Sequence, residues 1–342
     1  MATLRKRKGT YFADYRLNGK RVRRVLGKSR KIADLALKDI EVKIAKKELG
    51  FEAQDATLFK LFDEYLIYSG TNHSPSTQKR YRAIISHFKG FLRQYPYITK
   101  ISHIIPKTIE DYKALRKKAG VKNRTINIER EVINSMFNLA VQWGYAKDNP
   151  VRGVKPLKEE KDVKPRFLND EEIKALLENC GDKLYPIFYT FLHTGMRKSE
   201  LEYLEWNDID FARRKIKIRF KHDWHPKTSE REIPINNGLC DTLKQHKERA
   251  KQGTYVFHDG KGQRIEPNRL RKKLMSLTKR CGFPDVTKLH TFRHTFASHL
   301  VMKGVDLPTV KKLLGHSDIK TTMIYSHLAD EHVDRAVEKL EF

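Results

Sequence analysis

The amino-acid sequence predicts a multidomain protein: a small β-sheet plus helix N-terminal module, an all-α domain, and a mixed α/β domain that is mostly helical. Three observations predict this organisation of the 342 residues. Two short basic runs meet at an Asn-Gly pair near the amino terminus, and a long region of helical apolar periodicity follows them. Residues 151–165 are charged, contain prolines and have the composition of a linker, and the region after them mixes helical and strand patterns.

The first predicted module covers residues 1–50. Its two strand-like runs, residues 11–17 and 20–26, are joined by Asn18-Gly19, which favours a tight hairpin turn because both central positions need positive φ. Ser29 is a suitable N-cap, since an apolar helical stripe follows it. We therefore expect a small sheet with one helix, which has little stability on its own.

The second predicted module covers residues 55–152. Thr57, Ser74 and Thr125 are expected to begin its helices, because apolar residues spaced three or four apart follow each of them. The aromatic residues in these stripes are predicted to form the core rather than platforms for base stacking, since periodic apolar stripes usually indicate packing. Asn149-Pro150 ends the unit.

The third predicted module covers residues 165–342. Asn169 or Asp170 is expected to cap its first helix. Residues 215–220 alternate apolar and basic side chains, and residues 231–235 can pair with them as a hairpin. This mixture of patterns predicts helices combined with a small antiparallel sheet.

The charge of the chain limits its partners. It has 70 Lys and Arg against 42 Asp and Glu, a formal net charge of +28, and a pI near 9.9. Such an excess attracts polyanions, so we expect nucleic acid as a partner; a basic protein that binds none is the alternative. We expect DNA contacts from basic residues of the first two modules: Arg16, Arg21, Arg23, Lys79, Arg82 and Arg124.

Cysteine usage and hydropathy indicate the compartment. The cysteines, Cys180, Cys240 and Cys281, are far apart and form neither a disulfide framework nor a metal-binding pair. The basic start is not followed by an apolar stretch, and no run approaches the roughly 18 apolar residues of a membrane span. We therefore expect a cytoplasmic protein without membrane association.

Short elements in the third module suggest chemistry, although each is weak alone. His290 and Arg293 share one face of a helix; a surface salt-bridge helix is the alternative. Gly315 follows an apolar turn and is suited to a helix end that presents His316, although a histidine there is more often structural.

The remaining elements are equally weak when taken singly. Arg197 follows the helix-breaking Gly195, and Glu200 can hold its guanidinium from one helical turn away. Lys227 lies near the tip of the predicted hairpin, where a lysine is normally just solvated. Tyr325 is the only tyrosine after His290, and a buried aromatic with a satisfied hydroxyl is its alternative role.

Taken together and in order, these elements resemble the tyrosine recombinase family, which includes phage integrases and enzymes that resolve chromosome dimers. The resemblance runs from about Arg166 to Tyr325 and rests on TGMRKSE, the hairpin lysine, HTFRHTFASHL, LLGHS and the terminal tyrosine. Phe292 stands where many members carry leucine, a change between apolar residues. The resemblance implies an arm-type DNA-binding domain at residues 1–50, a helical core-binding domain at 55–152 and a catalytic domain at 165–342.

The resemblance also implies a role for each site residue. Tyr325 is the nucleophile, Arg197 and Arg293 clamp the scissile phosphate, Lys227 is the general acid, and His290 and His316 complete the pocket. Paired guanidiniums suit the charge that builds on the phosphate oxygens, and a lysine can protonate the leaving oxygen. Tyrosine is protonated near neutrality, and His290 is the candidate to accept its proton. We expect no metal or cofactor, since arginines supply the charge that Mg²⁺ supplies in nucleases.

The expected function is site-specific DNA recombination through a 3′-phosphotyrosine, in the integration and excision of a mobile element or prophage. A topoisomerase-like relaxing enzyme, a chromosome-dimer resolvase and a binding protein with a relic site are the alternatives. The expected partner is double-stranded DNA, on which the chain forms a homotetramer, with an excisionase and a DNA-bending host protein implied by resemblance alone. The apolar stripe of residues 333–340 is expected to pack on a neighbouring protomer, or else within its own chain.

Overall fold

The computed structural model describes residues 2–17, 20–48, 55–159, 164–250 and 253–329. The chain divides into two compact units, Met1–Lys161 and Asp162–Phe342. The predicted turn at Asn18-Gly19 and the predicted stripe of residues 333–340 lie outside the described residues. Among the helices described, none is long and apolar enough to cross a membrane.

The first unit begins with three strands and continues with helices. The strands are β1 (Thr3–Arg7), β2 (Thr10–Leu17) and β3 (Lys20–Gly27). The helices are α1 (Arg30–Glu48), α2 (Leu58–Asn72), α3 (Pro75–Leu92), α4 (Pro106–Lys118) and α5 (Asn123–Gln142).

The N-terminal sheet is an antiparallel meander in the order β1-β2-β3. One face packs against α1 through the buried Ala13 and Ile40. Residues opposite one another across a ladder share a face, so Asp14 lies on the same face as Thr3 and Arg23. Because neighbouring residues of a strand alternate between faces, this second face is the one turned away from α1.

The helical part of the first unit confirms two of the three predicted helix starts. The side chain of Thr57 accepts from the Lys60 backbone N–H, and that of Ser74 accepts from Thr77. The prediction that Thr125 begins the third of these helices was wrong, because α5 begins at Asn123. Helix α4 was not predicted, since its charged sequence buries few apolar residues.

The first residues of the predicted linker pack against this helical core. Val151 and Val154 are buried, at 0% and 2% exposure. The Asn127 side chain of α5 donates to the Leu157 carbonyl at 2.9 Å and to Glu159 at 2.8 Å. The prediction of a linker was therefore wrong for residues 151–159.

The second unit is mostly helical and contains a second three-stranded sheet. Its strands are β4 (Ile209–Asp210), β5 (Lys215–Ile218) and β6 (Arg231–Pro234), in that order and antiparallel. Its helices are α6 (Asp170–Asn179), α7 (Tyr185–Thr194), α8 (Lys198–Glu202), α9 (Asn237–Arg249), α10 (Pro267–Arg280), α11 (His290–Met302) and α12 (Leu307–Leu314).

Sequence predictions for this unit are confirmed at its cap and its hairpin. Asn169 caps α6 in a capping box with Glu172. Strands β5 and β6 pair as predicted, with the buried Ile216 opposite the buried Ile233. Strand β4 was not predicted, since two residues are too short to show a period.

Helices α7 and α11 form the centre of this unit. Phe292 of α11 stacks on Phe188 and Phe191 of α7, with ring centroids 5.1 and 5.6 Å apart. All three rings are buried, and each such pair contributes about 0.5–1.5 kcal/mol beyond its area burial. Because α7 ends and α11 begins at candidate site residues, this packing holds the two parts of the site together.

Candidate active site

Two left-handed glycines end the helices that form the site. Gly195, with φ 60° and ψ 20°, follows α7, and Gly315, with φ 64° and ψ 49°, follows α12. A Cβ at Gly195 would lie 2.4 Å from the Phe296 ring, and one at Gly315 would lie 2.8 Å from Cδ of Arg231. Both the dihedral angles and the space therefore require glycine. The prediction of a glycine cap that presents His316 is confirmed.

Arg293 joins these two helix ends. Its side chain donates to the Gly195 carbonyl at 2.8 Å and to the Leu314 carbonyl at 2.6 Å. It is 1% exposed. Burial, and then the charge of Arg197, lowers the pKa of Arg293 to about 9, so the guanidinium remains protonated at neutral pH.

Glu200 orients Arg197, as the sequence predicted. Its carboxylate accepts from the Arg197 backbone N–H at 2.8 Å and from the Arg197 side chain at 2.9 Å. The same guanidinium donates to the Gly315 carbonyl at 3.1 Å. Arg197 and Arg293 thus bond to carbonyls of the same helix end, which brings two cationic side chains onto one pocket.

Arg231, for which the sequence predicted no role, completes this network. It donates to both carboxylate oxygens of Glu200, at 2.9 and 2.7 Å, and to the Leu313 carbonyl at 3.2 Å. Burial raises the pKa of Glu200, but the hydrogen bonds and charges of Arg231, and then of Arg197, outweigh it and lower the pKa to about 2. Glu200 therefore remains an anion that holds two arginines.

The connection between β5 and β6 contains two lysines with different environments. Lys221 is largely buried and forms an ion pair with Asp208 at 2.6 Å, in addition to its bond to the Tyr203 carbonyl. Lys227 is exposed, and among the described residues no hydrogen bond or ion pair holds its ammonium. Thr228, the next residue, donates to the Gly315 carbonyl at 3.0 Å and so anchors the loop beside the pocket. Lys221 is structural, whereas Lys227 is available for chemistry.

His290 and His316 lie in the same positive environment. His290 is exposed as a residue, yet the protein atoms around its ring, and then the charges of His294, Arg293, Arg197 and Lys227, lower its pKa to about 4. Burial, and then neighbouring arginines, also lowers the pKa of His316 to about 4. Both imidazoles are therefore neutral near pH 7.

Tyr325 is held by a group other than the predicted one. It lies in a 3-10 segment, Met323–Leu328, and is 1% exposed. Its hydroxyl lies 2.7 Å from Nδ1 of His294, so the interpretation of His290 as the group beside this proton is not what the geometry shows. Burial raises the pKa of Tyr325 to about 12, opposed by the charge of Arg293.

His316 is tied to the segment that carries this tyrosine. Its Nδ1 lies 2.9 Å from Oγ1 of Thr322, and the Thr322 carbonyl accepts from the Tyr325 backbone N–H at 3.0 Å. All six residues predicted as catalytic therefore lie in the second unit and are linked by direct contacts or by their charges. The two residues that were missed, Arg231 and His294, are the direct partners of Glu200 and Tyr325.

The candidate DNA-contact residues lie at the surface of the first unit. Arg16, Arg21 and Arg23 are exposed on the N-terminal sheet, and Lys79, Arg82 and Arg124 are exposed on α3 and α5. Arg21 donates to Asp14 at 2.8 and 2.5 Å, a contact that the sequence did not predict. Across the residues that the structure describes, no group of three or more metal-ligating side chains is placed to hold a metal ion.

A buried phenol on which a buried guanidinium acts, with a second arginine at the same helix end, suits an enzyme that cleaves and rejoins DNA through a tyrosine. Comparison with known protein families supports the same class of enzyme. The phage integrase family matches residues 166–332, and the phage integrase SAM-like domain matches residues 57–159. A tyrosine recombinase XerC-like protein of Caldanaerobacter subterraneus is 31% identical over 366 residues, which cover 94% of this chain and 92% of that protein. The chain therefore belongs to the phage integrase family of tyrosine recombinases, which are DNA cleavage and rejoining enzymes.

Solved structures show the same fold. The Tn1549 transposon integrase in complex with transposon right end DNA has a TM-score of 0.69 at 21% identity, covering 82% of this chain and 100% of that one. A lambda integrase dimer bound to a COC' core site has a TM-score of 0.66 at 18% identity, covering 96% of this chain and 95% of that one. At these identities the likeness concerns the fold.

Proposed function

We propose that the protein is a site-specific recombinase that joins Tyr325 to a DNA 3′-phosphate and integrates or excises a mobile element or prophage. The proposed domains are residues 1–50 for arm-type DNA, 55–152 for core DNA and 165–342 for catalysis. One observation carries the proposal: the buried Tyr325 hydroxyl lies 2.7 Å from Nδ1 of His294, which directly follows the buried Arg293 on α11, so the charge of Arg293 acts on the phenol. A phosphate held by that guanidinium would lie within reach of the phenolic oxygen.

Arg197 and Arg293 are suited to clamp a phosphate. Arg197 and Arg293 each spend part of their five N–H donors on protein carbonyls or on Glu200, which leaves donors for an anion. Their positions are set before any ligand arrives, so little reorganisation is needed as charge builds on the phosphate oxygens. His316 and His290, neutral near pH 7, can donate further hydrogen bonds to the same group.

Lys227 is the proposed general acid. The leaving 5′-oxygen must gain a proton, and an ammonium on a loop anchored beside Gly315 can supply it. The religation step reverses these events: the 5′-hydroxyl of a new strand loses its proton, attacks phosphorus, and releases the tyrosine.

Covalent trapping tests this chemistry. The probe is a nicked duplex built from direct repeats that flank the gene in its native locus, so that the short fragment that carries the new 5′-hydroxyl diffuses away after cleavage. The full-length protein should form an SDS-resistant adduct, Tyr325→Phe should form none, and Tyr185→Phe, a tyrosine remote in the sequence, should behave as the parent. An adduct formed undiminished by Tyr325→Phe would refute the assignment.

The arm-like N-terminal module favours integration and excision, while relatives named XerC favour chromosome-dimer resolution as the second candidate. Recombination between two short core sites, equally efficient with and without flanking sequence, would favour dimer resolution. Dependence on flanking arm sequence, lost on joint substitution of Arg16, Arg21 and Arg23 by alanine, would favour integration. Relaxation of a plasmid that lacks any site would instead favour a topoisomerase.

The proposed partners follow from strand exchange. Exchange between two duplexes needs four cleavages, so we propose a homotetramer assembled on double-stranded DNA, with an excisionase and a DNA-bending host protein as accessory partners. Dimeric and tetrameric lambda integrase complexes with DNA support this assembly. We expect the enzyme to act in the cytoplasm, where its DNA substrate lies.

A further inference from the structure

The contact between His294 and Tyr325 has no role in the scheme above. The hydroxyl oxygen lies 2.7 Å from Nδ1, and the ring centroids are 5.9 Å apart. His294 follows Arg293 directly on α11, so it approaches the tyrosine from the same helix that supplies the phosphate clamp. For the phenol to donate in this contact, Nδ1 must be bare, which places the proton of a neutral His294 on Nε2.

We propose that His294 orients Tyr325 for attack and takes up its hydroxyl proton at Nδ1 as the phenolic oxygen bonds to phosphorus. This inference rests on the proposed function. As the new O–P bond forms, the bond from phosphorus to the 5′-oxygen breaks, and that oxygen takes its proton from Lys227. The phenolic proton ends on His294, which becomes an imidazolium and returns the proton to the tyrosine when the strand is religated.

The neighbouring histidine is less suited to this step. His290 lies one helical turn before His294, with ring centroids 4.7 Å apart and an interplanar angle of 89°. Among the described residues it makes no hydrogen bond to Tyr325, and it lies among the charges of Arg197 and Lys227, where a phosphate would bind. His290 is therefore placed to contact the phosphate.

The electrostatic environment makes the transfer depend on DNA. Burial, and then the charges of Arg293 and Lys288, lowers the pKa of His294, while burial raises the pKa of Tyr325 to about 12. The groups that bear on His294 are His290 and Arg293 on its own helix, Lys288 in the loop before it and Tyr325 across from it. A bound phosphate would offset the charge of Arg293 and favour the imidazolium, so the phenol stays protonated until DNA is present.

Asparagine offers a test, because its side-chain oxygen can replace Nδ1 as an acceptor but cannot take a proton. In single-turnover adduct formation on the nicked duplex, full-length His294→Asn should be slower than the parent by about 10²-fold at pH 7, with unchanged DNA binding. The deficit should shrink as pH rises, because hydroxide can then remove the proton. The rate of adduct formation by His290→Gln should vary with pH as that of the parent does, even if the rate itself is lower. If His294→Asn forms the adduct as fast as the parent at every pH, or faster, the inference is overturned. The hydrogen bond between His294 and Tyr325 would then belong only to the protein without DNA.

Two controls separate this inference from the proposed function. An adduct from Tyr325→Phe would reject the proposed nucleophile, whereas an inactive Tyr325→Phe beside a normal His294→Asn would reject the present inference alone. If His294→Asn does not fold, ¹⁵N spectra of histidine-labelled parent protein give the second test. One ring should carry its proton on Nε2 with a bare Nδ1 whose shift moves in Tyr325→Phe, and the absence of such a ring would overturn the inference.

Discussion

Two carboxylates in this protein each gather arginine side chains, one in each unit. Glu200 in the second unit is 0% exposed at its side chain, and its partners Arg197 and Arg231 are 17% and 7% exposed. Asp14 on the N-terminal sheet is 6% exposed, but its partners expose about half of their side-chain surface or more: Arg5 at 62%, Arg21 at 59% and Arg23 at 49%.

The two clusters share a charge pattern and differ in rigidity. The pKa of Asp14, lowered mainly by its hydrogen bond to Arg21, is about 2, as is that of Glu200. The arginines around Glu200 also bond to the carbonyls of Leu313 and Gly315, so their guanidiniums are fixed on both sides. Those around Asp14 extend into solvent, where salt screens them and their side chains can rearrange. A fixed cluster suits catalysis, and an adaptable one suits a DNA surface.

Substitution of Glu200 by glutamine should have the largest effect. It leaves Arg197, Arg231 and Arg293 close together with no anion among them, and removal of one partner of a buried ion pair costs about 3–5 kcal/mol. We expect the free energy of unfolding to fall by an amount of that order, as measured by urea denaturation of the full chain. Covalent adduct formation should also fall, by about 10²-fold or more, since the arginines lose their preorganised positions.

Asp14→Asn is the matched control for this substitution, because it removes the same charge from the other cluster. Its effect on unfolding should be smaller, since the arginines that lose the carboxylate are exposed and can be solvated by water. Similar destabilisation by the two substitutions would contradict the distinction between a fixed and an adaptable cluster.

Acid should weaken the site in two steps. His290 and His316 have folded pKa values of about 4 against 6.5 in a free side chain, so their neutral forms favour folding above pH 6.5, and this contribution is lost as pH falls toward 4. Glu200 has a folded pKa of about 2 against 4.5, so its contribution is present above pH 4.5 and is lost as pH falls toward 2. The free energy of unfolding, measured between pH 8 and pH 3, should fall across both windows.

His316→Gln should make the decline between pH 6.5 and 4 less steep, since only His290 of the pair then contributes to it, and Glu200→Gln should make the decline below pH 4.5 less steep. An unchanged pH profile in both variants would mean that other groups control the acid sensitivity.

The site was predictable from the sequence where the cause is local. Gly315 follows an apolar helical turn, and only glycine adopts its left-handed conformation without strain, so its place as a helix cap could be inferred. Asn169 and Glu172 form a capping box three residues apart. Arg197 and Glu200 likewise interact within one turn.

The missed residues depend on distant parts of the chain. Arg231 reaches Glu200 across 31 positions and the Leu313 carbonyl across 82, so no periodicity reports either contact. His294 belongs to the HTFRH motif, and its place one turn after His290 was a signal that could have found it. Which of the two histidines faces Tyr325 depends on how the segment after α12 returns to α11, which spacing does not encode.

The next largest loss of stability is expected for Arg231→Lys, with Arg21→Lys in the other cluster as its matched control. A lysine cannot form the two-oxygen contact with Glu200 while also reaching Leu313, and a hydrogen bond to a charged group is worth about 1.5–3 kcal/mol. Urea denaturation should therefore show a loss of that order for Arg231→Lys and no measurable change for Arg21→Lys. Equal stability of both variants with the parent would show that the Arg231 network is dispensable.

Asp14→Asn should have the smallest effect on the fold and a distinct effect on DNA binding. Without the carboxylate, the guanidinium of Arg21 loses its orientation and the sheet face gains one net positive charge. We expect non-specific affinity to rise and the slope of log affinity against log salt to steepen by about one unit, since one more phosphate can be neutralised. Discrimination for the arm sequence should fall a few-fold, because base contacts need oriented donors. Asp34→Asn on α1 is the control, because it makes the same charge change away from this face. Equal DNA-binding curves for the two variants would show that Asp14 affects binding through its charge and not by orienting Arg21.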